Sequence, residues 1–197
     1  VNYWVHGAFL KVDGKRMGKS LGNAFTLSDI EKKDFSPLDL RYFYLSGKYN
    51  EPLNFTWESL NAGKIALEKL KAQVEVFKKS DGCSVISTEK LEKVDEYRNN
   101  FITSINDDLN TPKALAVLWE VVKSNIPSQD KYDLILDFDQ VLGLDLSRAL
   151  IIKEMPENVK ELINKREKLR QEKKFDEADK LRGEINKLGF YITDWFF

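Results

Sequence analysis

One cysteine (Cys83) and one histidine (His6) among 197 residues leave no pair for an internal disulfide and too few ligands for a zinc site built from Cys and His alone. The expected setting is a reducing, cytoplasmic one. Cys83 stands in Ser80-Asp81-Gly82-Cys83-Ser84, a polar turn without a neighbouring histidine, and reads as an incidental loop thiol. His6 sits beside aromatic residues and reads as packed or solvent-facing, not as a metal ligand. Long apolar runs are also missing. Stretches such as Ala149 to Ile152 fall far short of the roughly 20 residues that a spanning helix needs, so no membrane segment is expected. Net charge is nearly absent: 31 Lys and Arg against 32 Asp and Glu leave −1, which excludes a strongly basic nucleic-acid-coating protein. The opening Val1-Asn2-Tyr3-Trp4 has neither an initiator Met nor the basic-then-apolar order of a secretory leader, and reads as a cut made inside a longer protein. What is present, 42% hydrophobic residues under 32% charged ones, can build and cover a core, so a folded, soluble chain is expected.

Along the chain, residues 1–25 carry short aromatic and apolar pieces broken by Gly7, Gly14, Gly18 and Gly22, which suits strand and loop. Ser36 followed by Pro37 reads as an N-cap and first helical residue, opening a helix through Leu45 that stops at Gly47; Asn50 to Asn54, with Pro52, reads as a loop. The spacing of Leu60, Ile65, Leu67, Leu70, Val74 and Phe77 predicts a long amphipathic helix over Trp57 to Lys79. After a turn from Ser80 to Ser87, Leu91, Val94, Tyr97, Phe101, Ile102 and Ile105 repeat the pattern. Thr111-Pro112 reads as a cap and Pro opening a third helix with Leu115, Leu118, Trp119 and Val122, and a fourth runs from about Asp130 to Leu142 and ends at Gly143.

Leu150 to Met155 reads as a linker. Two highly charged helical runs follow, Val159 to Lys173 and Phe175 to Leu188, then Gly189 as a C′ residue and a short strand, Phe190 to Thr193. The expected fold is mainly α: a strand-and-loop opening, an antiparallel helical bundle and a small α/β C-terminal tail. The stripes containing Leu67, Leu70, Val74, Leu91, Phe101, Leu115 and Trp119 read as bundle core.

The chemistry-bearing stretch is Lys11 to Asn23, where four basic residues and three glycines share one loop. Glycine lets a backbone approach an anion closely, and Lys and Arg supply charge where phosphate oxygens gather. This is not a P-loop, because Lys19 stands where that pattern needs its second glycine. From residue chemistry alone, a phosphate-binding loop and a solvated basic hairpin both remain open.

Arg16-Met17-Gly18-Lys19-Ser20, followed by Leu21-Gly22-Asn23, resembles the Lys-Met-Ser-Lys-Ser loop of class I aminoacyl-tRNA synthetases. With Trp4-Val5-His6, Val12-Asp13-Gly14 and Phe25-Thr26-Leu27-Ser28-Asp29 around it, the stretch is similar to cysteinyl-tRNA synthetases in particular. Three further segments agree in the correct order: Asp39 to Gly47 with Tyr49, Leu53 and Phe55; Asn106-Asp107-Asp108-Leu109-Asn110-Thr111-Pro112, with Leu109 where the family usually has Phe; and Phe175 to Arg182 with Leu188-Gly189. The resemblance implies the end of a catalytic domain with its loop and stem-contact helix over 1–48, a tRNA-binding bundle of the DALR type over 49–150, and a small anticodon-binding domain over 151–197.

It also implies a reaction in which an amino acid's carboxylate attacks the α-phosphate of ATP, releasing pyrophosphate, before the aminoacyl group passes to tRNA. The loop Arg16, Met17, Gly18, Lys19 and Ser20 is then the ATP-phosphate site. Lys19 matches the family's second lysine as the catalytic contact, Met17 packs the loop, and Ser20 helps set the turn before Leu21. Arg16 replaces a lysine with a planar fork, and Gly18 replaces a serine, which should loosen the loop and remove a hydroxyl. The expected partners are ATP with magnesium and tRNA(Cys), with cysteine bound only by the full-length enzyme, as a monomer. The cysteine pocket, the His-Ile-Gly-His motif and the zinc ligands belong upstream, so no metal is expected in this segment and no cysteine activation by it alone.

For RNA, residues 160–187 carry ten cations against seven acids, a net of +3, which without the resemblance reads as solvated helix faces. With it, Lys174 and Arg182 become candidate phosphate contacts, and Trp195 and Phe196 candidate stacking partners for anticodon bases; Tyr191 reads as buried. A stand-alone RNA-binding helical module, a helical interaction scaffold and a ligase joining cysteine to an amino sugar are the competing readings. The presence of a tail argues against the last.

Overall fold

In the computed structural model the described residues are 2, 4–80, 87–148, 157–172 and 174–187. Cys83, the linker expected at 150–155, Gly189, the strand expected at 190–193, Trp195 and Phe196 lie outside them. The chain divides into two compact units, Val1–Leu150 and Ile151–Phe197. The described residues are mainly helical, with one small three-stranded sheet, as expected.

The first unit opens with β1 (Leu10–Val12) and β2 (Lys15–Arg16), paired antiparallel with Val12 opposite Lys15. Asp13 and Gly14 between them both have positive φ, 48° and 74°, as the tightest hairpin turns require. β3 (Leu53–Phe55) pairs parallel to β1, Leu10 opposite Leu53 and Val12 opposite Phe55. This corrects the loop expected over Asn50 to Asn54: a three-residue strand has no period to read, and its pairing partner lies some 40 residues away.

A short helix α1 (Leu27–Glu31) was not anticipated, although its signal is local. Thr26 accepts from the Asp29 N–H and the Asp29 carboxylate accepts from the Thr26 N–H, a reciprocal cap. These same Thr26 contacts, backbone first and then hydroxyl, hold the Asp29 carboxyl below its ordinary pKa. α2 (Pro37–Leu45) begins as expected, with Ser36 capping the Asp39 N–H and Pro37 in the first turn.

β1, β3, α1, α2 and the first turns of α3 (Trp57–Lys78) enclose a small core of Val12, Ile30, Phe43, Phe55 and Leu60. Phe25, Phe35 and Trp57 pack against it, the Phe25 and Phe55 rings 5.0 and 5.2 Å from Trp57 in edge-to-face contact. This core carries the glycine-rich loop.

A larger core lies among α3, α4 (Thr88–Asn106), α5 (Thr111–Lys123) and α6 (Ser128–Leu142). Leu70, Leu118, Leu134, Ile135, Phe138 and Leu142 are among its fully buried side chains, and the Phe101 and Phe138 rings stack with centroids 4.0 Å apart. Trp119 is partly buried and donates its Nε1–H to the Tyr42 hydroxyl at 3.0 Å, joining α5 to α2. The Arg41 Nε–H donates to the Leu142 carbonyl at 2.6 Å, placing a cation at the C-terminus of α6 where the helix dipole favours one. Gly143 ends α6 with φ 62°, as the sequence implies.

Two details differ from expectation. Asn110, not Thr111, caps α5 by accepting from the Lys113 N–H, while the Thr111 hydroxyl donates to the Gly47 carbonyl. Leu91, expected in the core, is 49% exposed, and Ile102 of the same stripe 48%. The buried line of α4 is Val94, Phe101 and Ser104. Periodicity identifies a helix's apolar side but not how far along that side its neighbours reach.

The second unit holds α7 (Glu157–Gln171) and α8 (Phe175–Lys187), packed together with Val159, Arg166, Ala178 and Ile185 buried. Among the described residues no helix is long and apolar enough to cross a membrane.

Candidate functional site

The loop grows out of the β1–β2 hairpin and is pinned at its base by two asparagine side chains. The Asn54 Oδ1 on β3 accepts from the Gly14 N–H at 2.7 Å, and the Asp13 N–H donates to the Phe55 carbonyl at 3.0 Å, so the hairpin turn is tied to the sheet. Past β2, the Asn23 carboxamide bridges the loop: its Oδ1 accepts from the Gly18 N–H at 2.9 Å and its Nδ2–H donates to the Arg16 carbonyl at 3.0 Å. Between these anchors Lys19–Leu21 form one 3-10 turn, closed by the Leu21 N–H on the Gly18 carbonyl and the Gly22 N–H on the Lys19 carbonyl. Gly22, at φ 66°, turns the chain back in a conformation that L side chains disfavour.

Side chains of the loop divide by direction. Met17 is half-buried and packs onto the small core; Arg16, Lys19 and Ser20 are exposed. Lys11 and Lys15 are exposed beside them. Lys11 stands opposite Arg16 across the β1–β2 pair, a like-charge pairing that destabilises a hairpin unless an anion sits between. Among the described residues none of Lys11, Lys15, Arg16 and Lys19 has a carboxylate partner, in a chain whose acids slightly outnumber its bases. The arrangement can hold a multiply charged anion: cations flank a glycine-rich backbone, and among the described residues none of them is paired with a carboxylate.

Gly18 has φ −165° and ψ 139°, extended backbone open to any residue. The nearest atoms a Cβ there would meet are the Leu21 side chain at 3.7 Å and the Ser20 hydroxyl at 3.9 Å, ordinary contacts. With its N–H held by Asn23, the peptide is not left unattached by the missing side chain. Gly18→Ser is therefore expected to keep the fold and to stabilise by about 0.4–1 kcal/mol through lost freedom of the unfolded chain, read by urea unfolding. A loss above about 1 kcal/mol would mean that the loop needs glycine here.

The other candidates lie elsewhere. His6 is exposed, its ring parallel to that of Trp4 at 6.2 Å. Among the described residues no three His, Cys, Asp or Glu side chains gather as a metal site would. Lys174 and Arg182 belong to the second unit and are exposed. The Lys174 amine lies 2.8 Å from a Glu172 carboxylate oxygen, and that hydrogen bond, with the attraction behind it, raises the lysine's pKa and lowers the glutamate's. The sequence alone assigns no role to Asn23 and does not mark Asn54 as an anchor. An asparagine just after the αL glycine was the available signal for the first; the second depends on a strand pairing that no local pattern announces.

Comparison with known proteins matches three segments. Residues 1–65 match the family described as tRNA synthetases class I (C) catalytic domain, 100–125 the DALR domain, and 153–194 the cysteinyl-tRNA ligase anticodon binding domain. Among similar curated proteins, cysteine–tRNA ligase 1 of Burkholderia lata is 35% identical over 98% of this chain and 39% of its own length. Cysteine–tRNA ligases of Borreliella burgdorferi and Chlamydia muridarum are 38% and 37% identical over 97% and 98% of the chain, and 43% and 44% of theirs. The chain thus spans about two fifths of the length of these relatives.

Proposed function

The chain belongs to the cysteine–tRNA ligase family, of which it carries the C-terminal portion, and from that premise we propose that its parent protein activates cysteine with ATP and transfers it to tRNA(Cys) in the cytoplasm, as a monomer. This segment supplies the phosphate loop and the regions that meet tRNA. A cysteine carboxylate oxygen bonds to the α-phosphorus of ATP, taken as its magnesium complex, while the bond from that phosphorus to the bridging oxygen breaks and pyrophosphate departs with its electrons. The observation that carries the reading is the set of four exposed cations, none with a carboxylate partner among the described residues, on a loop whose backbone is pinned.

Lys19, at the start of the 3-10 turn, is the group proposed to meet the leaving pyrophosphate, with Arg16 beside it and the Gly18 and Ser20 backbone framing the approach. A cation that engages charge as it develops lowers the barrier more than one that binds ATP and transition state equally. Zinc, if the parent holds it, is proposed upstream of this chain, and no step here runs through it. The match of 153–194 to an anticodon-binding domain favours tRNA over an amino sugar as acceptor. Lys174 and Arg182 are proposed phosphate contacts there, and Trp195 and Phe196 stacking contacts.

Two measurements test this reading. The isolated chain is expected to bind inorganic pyrophosphate at fixed ionic strength, shifting the amide resonances of Gly18, Lys19 and Ser20, yet to show no cysteine-dependent ATP–pyrophosphate exchange. The parent protein is expected to exchange with cysteine and to charge only the cysteine tRNA. Exchange driven by another amino acid, or pyrophosphate shifts confined to other residues, would overturn it.

A further inference from the structure

We propose that Asn23 is a positioning residue of the phosphate loop, its carboxamide setting where Lys19 stands when the loop meets phosphate. The inference rests on the function proposed above and adds a residue that acts through another.

A carboxamide carries a donor and an acceptor fixed in one plane, so a single side chain can close two backbone groups of opposite kind. Asn23 does this across Met17, accepting from the Gly18 N–H at 2.9 Å and donating to the Arg16 carbonyl at 3.0 Å. The peptides on both sides of Met17 are thereby held together. Gly18 is also the residue from which the Lys19–Leu21 turn departs, its carbonyl accepting the Leu21 N–H at 3.0 Å. Asn23 itself is half-buried, and two residues later Phe25 is seated on Phe55 and Trp57, with centroids 5.8 and 5.0 Å away.

A continuous line therefore runs from the aromatic core along the chain to Asn23 and through its side chain to Gly18, the residue immediately before Lys19. Backbone bonds inside the turn close it on itself; the Asn23 bridge refers it to the core. The next polar cluster, the reciprocal cap of Thr26 and Asp29, holds only the start of α1 and supplies a control of similar chemistry outside the loop.

The experiment is cysteine-dependent ATP–pyrophosphate exchange by the parent protein, with kcat and KM separated and active sites titrated. Asn23→Ala is expected to lower kcat about 10- to 100-fold, the scale on which small misplacements cost rate, while KM for cysteine moves less than about threefold, because ground-state binding of the amino acid is untouched. Asn23→Asp keeps the acceptor for Gly18 but sets an oxygen against the Arg16 carbonyl, and is expected to fall at least as far; it carries the same test if the alanine variant does not fold. Asp29→Ala, which removes a comparable surface cap, is expected to leave kcat per active site unchanged. In the isolated chain, exchange of the Gly18 amide with solvent should accelerate in both Asn23 variants and not in Asp29→Ala.

A kcat within about twofold of the parent's in the Asn23 variants, or an equal fall in Asp29→Ala, would overturn the inference. Lys19→Ala separates the two levels. If it alone abolishes exchange, only the role of Asn23 is lost. If it too leaves exchange intact, the loop's proposed function is lost as well.

Discussion

Replacing Lys19 by alanine in the parent protein is expected to lower cysteine-dependent ATP–pyrophosphate exchange by about 10²- to 10³-fold, the range found when one preorganised donor to a developing charge is removed. The structure gives two reasons to expect the loss in rate and not in folding. Lys19 is exposed and has no ion-pair partner among the described residues, so its removal strips no protein contact and should change stability by no more than about 0.5 kcal/mol. It stands on a turn whose backbone bonds, from Leu21 to Gly18 and from Gly22 to Lys19, use no lysine side-chain atom. On the proposed function the remaining exposed cations Lys11, Lys15 and Arg16 should still attract ATP, so KM for ATP should rise far less than kcat falls. Lys19→Arg should recover part of the rate, since charge survives but a compact amine becomes a planar fork. Full exchange activity in Lys19→Ala, with active sites counted, is the result that refutes the assignment.

The second large effect is on stability. Phe138→Ala should cost about 3–5 kcal/mol, the sum of lost transfer energy and the cavity left behind. Phe138 is 1% exposed and its ring lies on that of Phe101, itself 3% exposed, at 4.0 Å and nearly parallel. The surrounding Leu118, Leu134, Ile135 and Leu142 are fully buried, so few neighbours are free to collapse into the space. Against a typical domain stability of about 5–15 kcal/mol this is a large fraction, visible as a shift in the urea midpoint at unchanged slope. Leu91→Ala offers the contrast. Leu91 lies on the same amphipathic helix as Phe101 but is 49% exposed, and its loss should stay under about 1 kcal/mol. A loss below about 1 kcal/mol for Phe138→Ala would mean that the core repacks freely, contrary to its burial.

The contrast between Leu91 and Phe138 marks where the sequence was legible. Helix existence, and the caps at Ser36 and Gly143, follow from neighbours within four residues, and these stand where the sequence puts them. The glycine-rich basic loop was equally plain, because its chemistry is contiguous from Lys11 to Asn23. Three features were not legible: β3, the exposure of Leu91, and the Asn54 anchor. Asn54 reaches Gly14 across 40 residues, and Arg41 reaches Leu142 across 101. No local pattern encodes such pairs.

By itself, then, the order of residues determined that the long helices exist, that α2 opens at Ser36 and α6 ends at Gly143, and that one loop gathers four cations and three glycines. Those properties depend on hydrogen bonds and side-chain spacing over a single turn. Tertiary packing alone decided that Met17 turns inward while Arg16 and Lys19 stay in water, that Lys11 and Arg16 share a strand pair, and that the loop is pinned to an aromatic core. The reason is physical: burial and long-range pairing depend on what the rest of the chain brings alongside, and a period of 3.6 or 2 says which side faces inward without saying what, or how much, will meet it.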